Sequence, residues 1–426
     1  MNKLNVYIEI QGKQIRVGNI SFSNERGGNF CYVLEYLDSR DAAPISISLP
    51  LQKEPFSAIK TKNFFEGLLP EGFTRQSVAR WMHVDETDYL SILAGLGNEC
   101  LGAIRIVSEN ESLQKPFYEK LTSEQVAKLA KEGATRSTQL VTKAHLSLTG
   151  ASGKVGLYYD EQNDTWFLPK GEAPSTHIVK QSHIRLDGIV TNEQLCLQTA
   201  RHLGIDVPES FIINMGNAQE EQVLFASRRY DRLLDSSTDM IQGLRRPLRL
   251  HQEDFAQAMG MASSEKYEKN NQEYLRKIFH LLSTYSASPI EDQMKLWDIM
   301  VFDYLIGNTD NHIKNISLLY DKNLKGIHLA PAYDIISTAI YESSTRNMGI
   351  AIAGEICLDD INEEVFRKAA SEIDLGEKML MNRFYAMKQR FASALEKSIH
   401  MLTAKGFDKA ESIGREIMKQ GGIANK

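Results

Sequence analysis

The sequence has few cysteines, few prolines and no long apolar segment. Its four cysteines, among 426 residues, form no CxxC pair, which excludes the usual spacing of a zinc site or a redox dithiol. With 11 prolines and 42% hydrophobic residues, the composition excludes a fibrous or disordered chain. No stretch approaches the roughly 20 apolar residues of a membrane helix, and the N-terminal residues alternate in polarity where a signal peptide needs an apolar run. We therefore expect a soluble, cytoplasmic protein with reduced cysteines.

An excess of positive charge is also missing. The formal net charge is -6, so no overall field attracts the protein to nucleic acid or to anionic lipid. Arg245, Arg246 and Arg249 form the most obvious basic cluster. Such a cluster is typical of a solvated surface, and nucleic-acid contact is the minor alternative.

Apolar residues recur at two different periods along the chain. Alternation over residues 5–10 and 15–20, around Gln11-Gly12-Lys13, predicts a β-hairpin, and the apolar run over 46–51 predicts a further strand. This half of the sequence is rich in predicted strands.

Helical spacing dominates from about residue 252 onward. It predicts helices over 289–306 and 377–404, and Ser288 with Glu291 has the spacing of a capping box at the start of the first. A length of 426 residues suggests two or three folded units. We expect an α+β chain divided at 1–110, 111–250 and 251–426, with a ligand in the cleft between two lobes.

The most informative segment is Asn-Thr-Asp-Asn-His-Ile-Lys-Asn at 308–315, between a predicted helix and a predicted hairpin. Asp310 and Asn315 have the D-x-x-x-x-N spacing of a kinase catalytic loop, and Asp334 follows where a kinase has a second carboxylate. Phosphoryl transfer needs a carboxylate that orients the attacking hydroxyl and oxygen ligands for magnesium. From spacing alone, a polar turn with a helix-capping aspartate is equally open.

A glycine-rich segment precedes a predicted strand. Glycines at 150, 153 and 156 free the backbone to direct N–H groups toward a phosphate, and Lys154 adds positive charge. The spacing is not that of a Walker A motif. A simple hairpin turn is the alternative.

Two further segments fit a nucleotide site. Lys180, on a strand after the glycine-rich segment, is placed to pair with phosphates, and Glu193 is the candidate to hold it. The segment Ser-Arg-Arg-Tyr-Asp-Arg at 227–232 follows an apolar strand, where a two-lobed nucleotide enzyme has its hinge. A surface lysine and a charged strand end are the alternatives.

Together these segments resemble the HipA family, the kinase toxins of the HipBA toxin–antitoxin systems. The resemblance spans nearly the whole chain in family order and includes SISLPLQ, NFFEGLLPEG, SLTGASGK, HIVK, SRRYDR, LIGNTDNHIKN and PAYDIIS. It implies an α+β, two-lobed protein-kinase-like fold with a strand-rich N-terminal lobe and a mainly helical C-terminal lobe. It also implies a serine/threonine protein kinase that uses ATP and Mg²⁺.

The resemblance assigns roles to individual residues. Asp310 is similar to the catalytic base, Asn315 and Asp334 to the magnesium ligands, and Ser147 to the serine that such kinases phosphorylate on themselves to become inactive. The ATP-contacting residues that it implies are Thr149, Gly150, Ala151, Ser152, Gly153, Lys154, Lys180, Arg228, Arg229, Tyr230, His312, Ile313, Lys314, Asn315, Tyr333 and Asp334. The turn at 150–154 departs from the usual family sequence GAQEK, and its Ser152 is a second candidate phosphoacceptor.

The resemblance also implies partners. They are a helix-turn-helix antitoxin similar to HipB, operator DNA reached mainly through that antitoxin, and a protein acceptor such as an aminoacyl-tRNA synthetase. The N-terminal α/β segment is the expected docking surface for the antitoxin. Two alternatives remain open: a catalytically weak or silent component of an antitoxin–DNA repressor complex, and a kinase for a small molecule.

Overall fold

The computed structural model describes residues 3–22, 27–97, 99–109, 115–131, 154–181, 186–216, 222–269, 272–373 and 375–424. The chain divides into two compact units. Unit 1 comprises Met1–Gln181, Ala226–Ser263 and Leu319–Gly326, and unit 2 comprises Ser182–Phe225, Ser264–Leu318 and Ile327–Lys426. Among the described residues, no helix has the length and apolar character needed to cross a membrane.

The described strands are, in chain order, β1 (Lys3–Ile10), β2 (Lys13–Phe22), β3 (Gly28–Tyr32), β4 (Ile104–Ser108), β5 (Phe117–Lys120), β6 (Lys154–Asp160), β7 (Thr165–Lys170), β8 (His177–Gln181), β9 (Ser210–Asn214), β10 (Val223–Arg228), β11 (Arg232–Leu233), β12 (Met240–Ile241), β13 (Leu244–Arg245), β14 (Leu248–Arg249), β15 (Gln252–Asp254), β16 (Ser317–Tyr320), β17 (Ile327–Leu329), β18 (Asn347–Ile352) and β19 (Glu355–Cys357). Their orders in the sheets are β3-β2-β1-β4, β5-β7-β6-β8-β10-β9, β11-β14, β12-β13, β15-β16-β17 and β18-β19. Strands β10 and β16 each run across the boundary between the two units.

The described helices are α1 (Leu34–Leu37), α2 (Ala58–Glu66), α3 (Gly72–Met82), α4 (Tyr89–Leu96), α5 (123–131), α6 (Ile189–Leu203), α7 (Phe255–Ala258), α8 (Tyr274–Tyr285), α9 (Pro289–Ile306), α10 (Glu363–Ser371), α11 (Glu377–Thr403) and α12 (Lys409–Gln420). Helices α1 to α5 and α7 belong to unit 1, and the other helices belong to unit 2.

The predicted N-terminal hairpin is confirmed. Strands β1 and β2 pair antiparallel, and the pair of Ile10 with Lys13 closes a two-residue turn. Both turn residues, Gln11 and Gly12, have positive φ values, of 50° and 82°, as a type I′ turn requires. The turn therefore matches the right-handed twist of the two strands.

Two local predictions are wrong. Residues 46–51 form turns and bends, because the Ser46 hydroxyl and the Ile47 N–H both bind the buried carboxylate of Glu253. Ser288 precedes α9 without any side-chain cap. The backbone N–H of Ser288, which Glu291 would bind in a capping box, instead donates to the Ser286 hydroxyl at 2.9 Å. In both places another hydrogen-bond partner occupies the group on which the local prediction depended.

The basic cluster predicted at the surface, Arg245, Arg246 and Arg249, is partly buried in unit 1. The Arg249 guanidinium is fully buried and donates to the Glu99 carboxylate at 2.6 Å, and Arg246 forms an ion pair with Glu9. Arg229 and Arg232 also contact Glu99, at 3.3 and 2.9 Å. Arg245, in contrast, is half-buried and donates to the Ser236 and Thr238 carbonyls at 2.6 and 3.0 Å. The interpretation as a solvated basic patch is therefore wrong for Arg249.

The core of unit 2 is built on the two predicted long helices. Trp297 of α9 is fully buried, and its indole N–H donates to the Leu380 carbonyl of α11 at 2.9 Å. Phe366 of α10 packs edge-on against the Trp297 ring, with centroids 5.7 Å apart. Because α9 is anchored along its length, its C-terminal end holds the following polar loop in a fixed place.

Candidate active site

The loop at 308–315 begins where α9 ends at Gly307. This glycine has a φ of 71°, and a Cβ there would lie 2.8 Å from the Cβ of Ala339. Only glycine meets both conditions without strain. The chain can therefore turn sharply from the helix into the loop.

The loop presents Asp310 to solvent on a fixed backbone. Asp310 is exposed, whereas its neighbours at 308, 309 and 311–314 are buried. The Asp310 carbonyl accepts the N–H of His312 at 2.8 Å and the side-chain amide of Asn315 at 2.9 Å. Asn315 thus holds the peptide that carries the predicted base.

Asp303, one turn before the end of α9, supports this loop from inside. Its carboxylate accepts the Asn308 amide at 2.8 Å. Burial raises the pKa of Asp303 to about 7, although the bond from Asn308 favours the charged form. The Asn311 side chain in turn accepts the N–H of Gly349 at 2.8 Å. Sequence reasoning missed Asp303, although an acidic residue within the apolar run before Gly307 could have identified it.

Asp334 has a left-handed backbone with a φ of 57°. A non-glycine residue in this region stores strain, which is more frequent at functional sites than elsewhere. The neighbouring Tyr333 hydroxyl donates to the Lys314 carbonyl at 3.0 Å and lies 2.6 Å from the Ser317 hydroxyl. Three residues on, the Ser337 N–H donates to Asn192 at 3.1 Å. The segment is thus tied to the loop on one side and to α6 on the other.

A small cavity of about 10 Å³ separates the loop from the segment that carries Asp334. Its lining includes Asp303, Asn311, Asn315 and Tyr333, and its volume suits about one water molecule. The structure therefore brings Asn315 and Tyr333, which were predicted from separate motifs, to one cavity in unit 2.

The oxygen atoms of Asn315 and Asp334 fit a magnesium ion in chemical type. Magnesium is commonly held by one or two protein oxygens while it keeps several waters and substrate phosphates. No group of three or more His, Cys, Asp or Glu side chains able to hold a metal occurs within the described ranges.

Two predicted phosphate-binding lysines are neighbours in unit 1. Lys154 at the start of β6 and Lys180 on β8 are direct partners in the antiparallel pair. Thr149, Gly150, Ala151, Ser152, Gly153 and the predicted phosphoacceptor Ser147 lie outside the described residues.

The predicted hinge residues have mixed surroundings. The Arg229 side chain is buried and makes a bidentate ion pair with Asp231 at 2.9 and 2.7 Å. The backbone N–H of Arg229 donates to the Thr176 carbonyl at 2.8 Å. Arg228 is partly exposed beside Glu161, 3.6 Å away, and the Tyr230 hydroxyl donates to the Gln252 side chain. Arg229 thus forms a buried ion pair with Asp231 inside unit 1.

Glu193 lies in α6 of unit 2 and is buried. Lys180 belongs to unit 1. The pairing of these two residues therefore stays a prediction.

Sequence reasoning also missed Tyr267, which lies just before α8. Its hydroxyl donates to the carboxylate oxygen Oδ1 of Asp310. Its ring packs edge-on against His312, with centroids 5.0 Å apart. No motif identifies this tyrosine, because it is 43 residues from its partner along the chain.

Comparisons with known proteins agree over most of the chain. The HipA-like C-terminal domain family matches residues 146–397, and the HipA N-terminal domain family matches residues 8–107. The protein Y4mE of Sinorhizobium fredii, named as a kinase, is 31% identical over 386 residues, which are 88% of each chain. The serine/threonine-protein kinase toxin HipA of Shewanella oneidensis is 25% identical over 381 residues, which are 87% of this chain and 84% of that one.

A solved structure supports the fold. The protein in the Shewanella oneidensis complex of HipA, HipB and operator DNA superposes with a TM-score of 0.79 and 21% sequence identity, over 97% of both chains. The predicted α+β kinase-like fold is thereby confirmed. From the family matches over both parts of the sequence, we conclude that the chain belongs to the HipA family.

Proposed function

We propose that this protein transfers the γ-phosphate of ATP to a serine or threonine hydroxyl of a protein, with Asp310 as the catalytic base. The observation that carries the proposal is the geometry of the 308–315 loop. The loop exposes the Asp310 side chain to solvent. Asn315 binds the Asp310 carbonyl, and Asp303 binds Asn308 in the same loop, so the backbone that carries Asp310 is held in place. The names of its relatives as kinases support the same reaction.

In this proposal Asp310 orients the acceptor hydroxyl and accepts its proton. The acceptor oxygen forms a bond to the γ-phosphorus while the bond to the β,γ-bridging oxygen breaks, and ADP leaves. Asn315 and Asp334 are the residues that would hold Mg²⁺, and the ion would supply positive charge that neutralises the phosphates. Lys154 and Lys180 attract the phosphate groups through their adjacent positive charges.

Membership of the HipA family also supports proposals about the regulation and the partners of this protein. The relative of known structure is complexed with HipB and its operator DNA. We propose a similar helix-turn-helix antitoxin, docked on the N-terminal α/β segment, for this protein, and an aminoacyl-tRNA synthetase as the class of acceptor. Autophosphorylation on Ser147, outside the described residues, would inactivate the enzyme in the cytoplasm, where ATP and the acceptor are available.

Radiolabel transfer from [γ-³²P]ATP to the proteins of a desalted bacterial extract tests the reaction. Replacement Asp310→Asn keeps the size of the side chain but removes its basicity, and we expect labelling to fall about 100-fold or more. Asp408→Asn, at an exposed aspartate before α12, is the matched control and should label as well as the wild type. Equal labelling by the wild type and Asp310→Asn would refute the role of Asp310.

The same assay separates the alternatives. If ATP raises the thermal midpoint but no phosphate moves to any protein, the chain is a silent component of a repressor complex. If phosphate moves to no protein but does move to a metabolite when the small-molecule fraction of the extract is added back, the chain is a small-molecule kinase.

A further inference from the structure

Tyr267 makes a direct bond to the proposed catalytic base inside unit 2. Its hydroxyl donates to Oδ1 of Asp310, and its ring packs edge-on against His312 of the same loop. Tyr267 is 39% exposed, so it borders the region from which an acceptor protein would approach Asp310.

The backbone on both sides of Tyr267 is fixed to the site. The Lys266 carbonyl accepts the N–H of Ile313 at 3.3 Å, and the Glu268 N–H donates to the Gly349 carbonyl at 2.9 Å. These bonds connect the segment to the catalytic loop on one side and to β18 on the other. Tyr267 is therefore part of a rigid frame around the loop.

The carboxylate of Glu268 strengthens this frame. It is buried and accepts the N–H groups of Tyr274 at 3.3 Å and Ala351 at 2.8 Å. The Tyr274 hydroxyl donates to the Glu265 carbonyl at 2.7 Å. A segment held by so many bonds is poorly suited to swing away as a lid, because its opening would leave buried polar groups without partners.

We propose that Tyr267 is a positioning residue for phosphoryl transfer. Its hydroxyl holds the Asp310 carboxylate in the orientation in which the second oxygen, Oδ2, accepts the proton of the acceptor hydroxyl. This inference rests on the proposed function of Asp310 as the base. An exposed carboxylate without such a donor rotates among several orientations, and a misplaced base is inefficient. A hydrogen bond to a charged group is strong enough to select one of them.

Steady-state kinetics of Tyr267→Phe test the proposal, with the labelling assay on extract proteins as the readout. The phenylalanine keeps the ring against His312 and removes only the hydroxyl. We expect kcat to fall about tenfold to 100-fold, whereas the KM for ATP and the thermal midpoint stay at wild-type values. Tyr285→Phe, at an exposed tyrosine at the end of α8, is the control and should leave both constants unchanged.

A double variant separates positioning from a merely structural role. If Tyr267 acts through Asp310, Tyr267→Phe should add no further loss in the Asp310→Asn background, whereas an independent structural effect would add in full. A wild-type kcat in Tyr267→Phe overturns the proposal. A raised kcat also overturns it, because the hydroxyl would then obstruct the acceptor.

The outcomes distinguish this inference from the proposed function. If Asp310→Asn is inactive and Tyr267→Phe is fully active, only the positioning role fails. If Asp310→Asn labels as well as the wild type, both the proposed function and the positioning role fail.

Discussion

At the scale of single residues, burial changes the chemistry of two carboxyl groups. Asp303 supports the loop in unit 2, and Glu253 in unit 1 binds the turn at 46–47 together with the Tyr320 hydroxyl. Burial raises the pKa of Glu253 to about 7, although its bonds from Ser46, Tyr320 and Ile47 favour the charged form. Both groups therefore bind protons in the folded protein at pH values at which they are ionised in the unfolded chain.

The raised pKa of Glu253 predicts that the protein loses stability as the pH rises. Its unfolded pKa is near 4.5 and its folded pKa about 7, so its favourable contribution is complete below pH 4.5 and is lost as the pH rises through 7. We expect the unfolding free energy of the wild type, relative to Glu253→Gln, to fall by on the order of 2 kcal/mol between pH 5 and 8. Urea unfolding of both proteins at each pH measures this difference, and a pH-independent difference would contradict it.

At the scale of elements, strand β18 makes one close backbone contact with the loop at 308–315. Gly349 gives its N–H to Asn311, and a Cβ at this position would lie 2.6 Å from the His312 nitrogen and 2.8 Å from the Asn311 carbonyl carbon. The backbone atoms of a buried loop cannot move aside to make room for a Cβ, whereas the end of a flexible side chain can. The distance between strand and loop therefore depends on glycine.

We expect Gly349→Ala to displace the catalytic loop and to reduce phosphoryl transfer at least tenfold, a loss comparable to misplacing a reacting group by a fraction of an ångström. The unfolding free energy should also fall, by about 1–3 kcal/mol. Gly414→Ala in α12 is the comparison, because its nearest neighbour is the flexible end of Ile399. Labelling rates and urea unfolding of the two variants should diverge, and equal behaviour would show that the loop adapts.

At the scale of the whole molecule, buried charge organises unit 1. Glu99, on the segment after α4, contacts arginines from the later segment 229–249. Burial alone would raise the pKa of Glu99, but Arg232, Arg249 and Arg229 hold it below its ordinary value. The network therefore joins parts of the chain that are about 130 to 150 positions apart.

Removal of this carboxylate should be costly, because it leaves several buried guanidinium groups without compensation. We expect Glu99→Ala to lower the unfolding free energy by about 3–5 kcal/mol. Glu124→Ala breaks only the exposed pair with Lys128 and should cost less than about 1 kcal/mol. Thermal unfolding of both variants at neutral pH measures the contrast, and similar midpoints would refute it.

Much of the architecture could be predicted from the sequence. The hairpin at the N-terminus, the helix Pro289–Ile306 and the helix Glu377–Thr403 agree with prediction, since period, turn residues and glycine stops are local signals. Thr122 and Gln125 exchange the two bonds of a capping box, at 2.7 and 3.2 Å, which a threonine followed three residues later by a glutamine favours. The strand predicted over 46–51 failed because Glu253, some two hundred residues away, binds its polar groups.

The family, the fold class and the spacing of Asp310 and Asn315 could be recognised from the amino-acid sequence alone, because they depend on motifs and periods within short segments. Only the tertiary structure decided that Tyr267 contacts Asp310, that Asp303 supports the loop from inside, and that Arg249 is buried. Contacts between distant segments depend on how helices and strands pack, and packing is not encoded in any single motif. The contacts that hold Asp310 and its loop are accordingly a property of the fold.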